Sequence, residues 1–338
     1  MKGRDSFDSQ AVYHIYQRTI DGFLLFYRGK DYIIFYTMVA VAARRCGIKV
    51  LGFCQMVDHI HLLVKAPSLD SIRRFVQYYN KCYTVYFHQQ YGTSGELFDG
   101  PFGIAKKVGA KAIRTAIAYL YNNPVEKKLC RRAEEYHWNY LSYADNPYPF
   151  SERRNLAHSS NAFRRAVREI TDLSSRNRPL NGVMLSQIEA RLDSEEIKRL
   201  VDSVVGIYQL VDYPLMLSFY GDYETMLLAF HSNTGSEYDI DEEFSPESDT
   251  VYYRIAKAAV NLFGKDCFKM VLSATESQKE KWAARLANYT HATRRQLFKF
   301  LHIPRPVPVK IVSSSQSGFL YRVGVVNDTA SDQSEQRG

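Results

Sequence analysis

The chain has 338 residues, 46% of them hydrophobic, and carries 44 Lys and Arg against 36 Asp and Glu, for a net charge of +8 at pH 7. Such a length suits two or three domains and such a composition a sizeable core. The longest apolar stretch, around 32–43, is too short for a bilayer, and the start MKGRDSFDSQ lacks the apolar core of a signal peptide. Five cysteines with no CxxC pair exclude a disulfide framework and a zinc finger, so the expectation is a soluble, cytoplasmic protein with no membrane partner.

The charge is uneven. Residues 1–150 hold 20 basic and 12 acidic residues, whereas the remainder holds 24 of each. A basic half points to a polyanionic partner, nucleic acid rather than membrane because no basic amphipathic anchor is visible; the plain alternative is a basic solvated surface.

In chain order, the β-branched and aromatic run at 12–20 predicts a strand, with a short second strand at 23–27. Helical periodicity over 31–46 ends at Gly47, a good C-cap. Two strands follow, at 49–55 and 59–65, turning near Val57-Asp58. Ser68 is an N-cap candidate for a long helix to about residue 90, closed by Tyr91-Gly92. Residues 92–103 read as loop, and 110–123 as a helix stopped by Pro124. This order predicts an α+β fold, a small antiparallel sheet with helices on one side, plus a mostly helical C-terminal region.

The expected catalytic domain is 1–148, with a Pro-containing linker at 146–155. Residues 156–235 form a helical region to which the sequence assigns no role. The acidic stretch 236–249 reads as a solvated loop without EF-hand spacing. Residues 250–310 form a second helical region, with a break near 288–291. After it, Thr293, Arg294, Arg295 and Gln296 stand where a helix-turn-helix places base-reading side chains; an ordinary amphipathic helix pair fits equally well. Residues 325–338 read as a disordered tail.

The chemistry concentrates in His59-Ile60-His61. On a strand, residues two apart share a face, so both imidazoles project together while Ile60, Leu62 and Val64 face away. Two imidazoles on a rigid strand supply two-thirds of a divalent-metal site, although a structural role suits the pair equally well. Cys54, at an odd offset of five from His59, is expected on the other face, as core. In the helix before Pro124, Tyr119 and Asn123 are four apart and share a face, while Tyr121 lies about 200° of rotation away from Tyr119. A phenol beside a carboxamide can supply a nucleophile and a third ligand together. The Asn oxygen suits Mg²⁺ or Mn²⁺, and the imidazoles bias the set toward Mn²⁺ or another transition metal.

Met56-Val57-Asp58-His59-Ile60-His61-Leu62-Leu63-Val64 resembles the strand motif M-P-N-H-V-H-L-L-V of the REP-associated tyrosine transposases, within the single-tyrosine HUH transposases. Tyr119-Leu120-Tyr121-Asn122-Asn123-Pro124-Val125 resembles their helix motif Y-I-x-x-N-P-V. Residues 91–100, YGTSGELFDG, resemble their loop Y-G-x-x-G-x-L-W-Q-G, and Tyr13-His14 with Gln17-Arg18 their first strand. The likeness spans roughly 10–145. Two departures, Val57-Asp58 for Pro-Asn and Pro101-Phe102 after Gly100, bear on DNA preference more than on catalysis.

The resemblance implies an HUH, ferredoxin-like fold in which Tyr119 attacks a phosphodiester of single-stranded or hairpin DNA. The implied product is a 5′-phosphotyrosine link, which a 3′-hydroxyl later reseals. His59, His61 and Asn123 are the implied metal ligands. Arg18, Arg73, Arg74, Lys106, Lys107, Lys111 and Arg114, with Lys81 and with Arg294 and Arg295 of the last helix pair, are candidates to follow the backbone. Tyr78, Tyr79, Tyr83, Tyr86 and Phe98 could stack on bases, against the plainer reading that most of them pack on the sheet. Some relatives are homodimers that pair one subunit's histidines with the other's tyrosine. The competing readings are a DNA-binding regulator that keeps the fold without cleaving, and an unrelated hydrolase using water.

Overall fold

A computed structural model describes residues 7–232 and 249–304. The expected tail at 325–338, the acidic stretch up to 248 and residues 305–310 lie outside them.

The sheet has four strands, β1 (Val12–Arg18), β2 (Lys49–Gln55), β3 (His59–Lys65) and β4 (Gly103–Lys107), in the order β2-β3-β1-β4. Every pairing is antiparallel, with Tyr16 opposite His61 and Arg18 opposite His59. Period-two alternation sorts the side chains onto two faces. On one, Tyr13, Ile15, Ile60, Leu62 and Val64 are buried in the cluster that includes α1 (Gly29–Cys46) and α2 (Leu69–Tyr91). On the other, Val12, Cys54 and Leu63 pack with Ile113, Ile117, Leu120 and Tyr121 of α3 (Ala110–Glu126). The helices expected on one side thus cover both faces, α1 and α2 on one and α3 on the other.

The helix ends follow local chemistry. Ser68 Oγ accepts the Ser71 amide at 3.0 Å, and Gly47 (φ 65°) and Gly92 (φ 66°) close α1 and α2 in the left-handed conformation open to glycine.

Four local readings are corrected. Residues 23–27 form no strand, because their backbone groups are satisfied elsewhere: the Leu25 amide donates to the Val57 carbonyl, Tyr83 Oη to the Leu25 carbonyl and His302 to the Leu24 carbonyl. Residues 103–107, read as loop or left unassigned, form β4; its GIAKK sequence carries little strand signal, and the free edge of β1 supplies the ladder. Helix α3 runs past Pro124 to Glu126, since in the last turn the proline forfeits only one intrahelical bond. Cys54 is core, as expected, but lies opposite His61 on its face, because the hairpin reverses the chain and breaks parity counting across the turn.

Five helices follow: α4 (Asn161–Ser175), α5 (Gly182–Glu189), α6 (Ser194–Tyr208), α7 (Tyr213–Leu217) and α8 (Tyr223–His231). Phe163, Ile170, Leu200 and Val204 of α4 and α6 join the α1–α2 cluster, while Met216 and Phe230 of α7 and α8 join that of α3. Last come α9 (Thr250–Phe263), α10 (Cys267–Ser273), α11 (Glu276–Thr290) and α12 (Arg294–Leu301). Helix α12 returns to the segment before α1, where Tyr27 Oη donates to the Phe300 carbonyl at 2.5 Å. All five cysteines are free. Among the described residues no helix is long and apolar enough to cross a membrane.

Candidate active site

Strand β3 starts at His59 directly after the bend, so the histidine pair stands at the mouth of the hairpin on the α3 face. Both rings are buried and 5.0 Å apart between centroids. Helix α3 brings Tyr119 and Asn123 against them, the Tyr119 ring 5.7 Å from that of His61. Asn123 Nδ2 lies 3.3 Å from His61 Nε2 and 3.4 Å from Tyr119 Oη. The structure thus brings Tyr119, His59, His61 and Asn123 together within one chain. Tyr121 turns away to stack on Phe230, as its helical angle requires.

The hydrogen bonds orient both imidazoles. His59 Nδ1 donates to Asp58 Oδ1 at 2.6 Å, which leaves a lone pair on Nε2; that atom is buried with no partner. His61 Nε2 accepts from the Asn123 amide, so its Nδ1 carries the proton and donates to His14 Nε2 at 3.1 Å. Asn123 Oδ1 is also buried without a partner. Unsatisfied buried acceptors are costly. His59 Nε2 and Asn123 Oδ1 are open donors, and His61 Nε2 can join them once the Asn123 amide it now accepts turns away; that set of two imidazoles and a carboxamide fits a borderline-hard divalent cation. Among the described residues no group of three or more His, Cys, Asp and Glu is arranged to hold a metal.

Charge reinforces this arrangement. Burial pushes the His61 ring well below its ordinary value, and the His59 and His14 rings add to the effect, so the neutral form is favoured. Burial alone would raise Asp58, but the bond from His59 and the Lys299 ammonium at 3.1 Å hold its carboxyl well below the usual range. Asp249 is pushed up to about 6 by burial and by the charge of Asp58, against opposing pulls from His59, Lys127 and Lys299.

Three neighbours of the histidines were missed as site residues: His14, Asp249 and Lys299. His14 carried a signal, since β1 alternation puts it on one face with Tyr16 and Arg18. Nothing in the spacing announces Lys299, 241 positions from Asp58.

The basic candidates scatter. Arg18 is exposed directly opposite His59, beside the exposed Tyr16. Lys107 shares the histidine face through its pairing with Val12, whereas Lys106 pairs with Tyr13 and faces the other way. Lys111 and Arg114 sit exposed in the first turns of α3. Arg73, Arg74 and Lys81 belong to α2, across the sheet from the histidines, and Arg74 pairs with Asp70. Arg294 and Arg295 are exposed at the start of α12, with Arg294 over the Phe298 ring at 4.7 Å. Tyr79, Tyr83 and Tyr86 are buried and unavailable to bases; Tyr86 Oη donates to Asp31 at 2.6 Å. Phe98 is buried too, and Tyr78 lies under Arg45. Two cavities, of about 540 and 750 Å³, open elsewhere, beside Val50 and Val205 and between α2 and Pro179–Val183; no histidine-site residue lines either.

Residues 9–123, which hold the histidine hairpin and the tyrosine helix as far as Asn123, match the family model described as transposase, IS200 like. A solved structure described as a REP-associated tyrosine transposase bound to a REP hairpin aligns with 43% of this chain and 84% of its own, at 11% identity and a TM-score of 0.35. No curated protein matches the chain. The part of the chain that is similar to the IS200-like transposases is therefore the part that carries the sheet, the histidine pair and the tyrosine.

Proposed function

We propose that the chain is a DNA strand-transfer endonuclease acting on single-stranded, hairpin-containing DNA, with Tyr119 as its nucleophile. One observation carries the reading: a buried phenol and three ligand-type atoms, Nε2 of His59 and of His61 and Oδ1 of Asn123, converge on one face of the sheet. A Mg²⁺ or Mn²⁺ ion held by those three residues would polarise the scissile phosphate and stabilise its developing charge.

The remaining work belongs to the chain. Tyr119 Oη gives up its proton and bonds to phosphorus. The bond from phosphorus to the 3′ oxygen breaks, and that oxygen keeps the electron pair and takes a proton. The products are a 5′-phosphotyrosine and a free 3′-hydroxyl. Attack by a 3′-hydroxyl reverses the step and restores Tyr119, with the bond energy conserved in the phosphotyrosine. Asn123 holds Tyr119 Oη near the His61 ring, and Asp58 and His14 hold the two imidazoles. Arg18, Lys107 and Tyr16 stand on the same face to meet the strand. The tyrosine and histidines that meet here come from one chain, and a homodimer remains the proposed assembly. We place the protein in the cytoplasm, where DNA is the accessible polyanion.

The test is a denaturing gel for covalent adducts with labelled hairpin single strands and Mn²⁺ or Mg²⁺. A metal-dependent adduct lost in Tyr119→Phe is expected. Binding without an adduct would instead favour a silent regulator, and cleavage that persists in Tyr119→Phe a hydrolase using water.

A further inference from the structure

Asp58 stands between the histidine site and the far end of the chain. Its Oδ1 takes the proton of His59 Nδ1 at 2.6 Å, and its Oδ2 takes a bond from Lys299 Nζ at 3.1 Å. The side chains of His59, Asp58 and Lys299 are only 11%, 16% and 19% exposed. Largely withdrawn from water, such a charged hydrogen bond is stronger and better oriented than a surface ion pair.

The segment that follows the lysine is held in place by two anchors. The Phe300 carbonyl accepts from Tyr27 Oη, and the His302 ring stacks on Phe23 at 4.4 Å and donates to the Leu24 carbonyl at 3.1 Å. The lysine stem crosses Gly22, at φ 67°, where a Cβ would stand 3.0 Å from Lys299 Cε. The crossing is open because Gly22 has no side chain.

We propose that Lys299 is a positioning residue of the active centre, acting through Asp58 to hold the His59 ring with its proton on Nδ1 and its Nε2 lone pair open. The C-terminal helices are then part of the catalytic centre. A histidine ligand whose second nitrogen is anchored by a carboxylate is fixed in tautomer and orientation. Here the carboxylate is itself anchored, by a lysine from α12. Without the lysine, Asp58 remains buried with one oxygen uncompensated, and it turns away from His59 to find water.

The inference deepens the proposed function, because it takes His59 as a ligand, but its first readout does not depend on that. Nitrogen-15 NMR of the metal-free protein reports the His59 tautomer directly. In Lys299→Met the His59 signals are expected to move from a single Nδ1–H form toward a tautomer mixture. The Mn²⁺ dissociation constant and the adduct rate should each worsen by about 10- to 100-fold. Lys299→Arg should restore the single tautomer and most of the affinity. In an Asp58→Asn background Lys299→Met should have no further effect, since the carboxylate it acts through is gone. A folded Lys299→Met protein with unchanged His59 signals would overturn the proposal, as would additive effects of the two substitutions. If Lys299→Met does not fold, the wild-type and Asp58→Ala spectra decide: a tautomer mixture in wild type, or a single Nδ1–H tautomer in Asp58→Ala, also overturns it. Failure of wild type to bind Mn²⁺ would sink the metal reading while the tautomer readout still decides the role of Lys299.

Discussion

His61 uses both ring nitrogens, one toward Asn123 and one toward His14. The alternation of β3 makes the shared face of His59 and His61 legible from three letters, and the spacing of four does the same for Tyr119 and Asn123. The support behind them was less visible. His14 is 47 positions from His61, and only the register of β1 on β3 brings the rings to a centroid distance of 5.2 Å. Removing His14 takes away the buried acceptor 3.1 Å from His61 Nδ1. His14→Ala should therefore weaken Mn²⁺ binding by about 10- to 100-fold, measured calorimetrically, while His14→Gln, which can still accept, should lose less. An unchanged affinity in His14→Ala would mean that His61 is oriented by Asn123 alone.

Helix α12 shows why the same residues read differently at the level of an element. Thr293 and Gln296 stand where a helix-turn-helix presents base-reading groups. Here Thr293 Oγ1 accepts the Gln296 amide at 3.3 Å, and Gln296 Oε1 accepts the Thr293 amide at 2.9 Å, so both polar side chains are used to start the helix. The capping pattern was present in the sequence, but the competing DNA-reading pattern has the same letters. Thr293→Ala should cost about 1 kcal/mol in urea denaturation. Because α12 carries Lys299, amide exchange in 294–301 should quicken before the rest of the chain is affected. Uniform protection across α12 in that variant would show that docking, not the cap, holds it. Strand β4 makes the converse point: its five residues have weak strand character, and the exposed edge of β1 recruits them.

Across the molecule, one buried cluster joins Tyr27 and Phe87 near the sheet with Leu200 of α6 and Phe268 and Phe300 of the C-terminal helices. His302 sits at this junction, stacked on Phe23 and Phe87. Burial lowers its pKa to about 3, with the Leu24 carbonyl opposing and Lys279 and His88 adding to the shift. The ring is therefore neutral in the folded chain, while in the unfolded chain it titrates near the ordinary histidine value of 6.5. Above 6.5 both states are neutral and the contribution is fully present. Between 6.5 and 3 the unfolded chain takes up a proton that the folded chain refuses, so stability falls as the pH falls. The slope approaches about 1.4 kcal/mol per pH unit, or about 2 kcal/mol between pH 7 and pH 5. Denaturation curves at the two pH values should show that drop in wild type and a smaller one in His302→Gln. Equal drops would assign the acid sensitivity to other buried groups such as His137, also lowered by burial, to about 4.

What the sequence determined by itself was whatever depends on short spacing: the paired imidazoles of His59 and His61, the shared face of Tyr119 and Asn123, the caps at Ser68, Gly47 and Gly92, and a basic first half. Strand and helix periods dictate these within a few residues, with no knowledge of the rest of the chain. Tertiary structure alone decided that α3 covers the face opposite α1 and α2, that Cys54 lies opposite His61, and that the carboxylate behind His59 is held by a lysine from the last helix. Each of these turns on how surfaces far apart in the chain bury one another, and no local period records such a pairing.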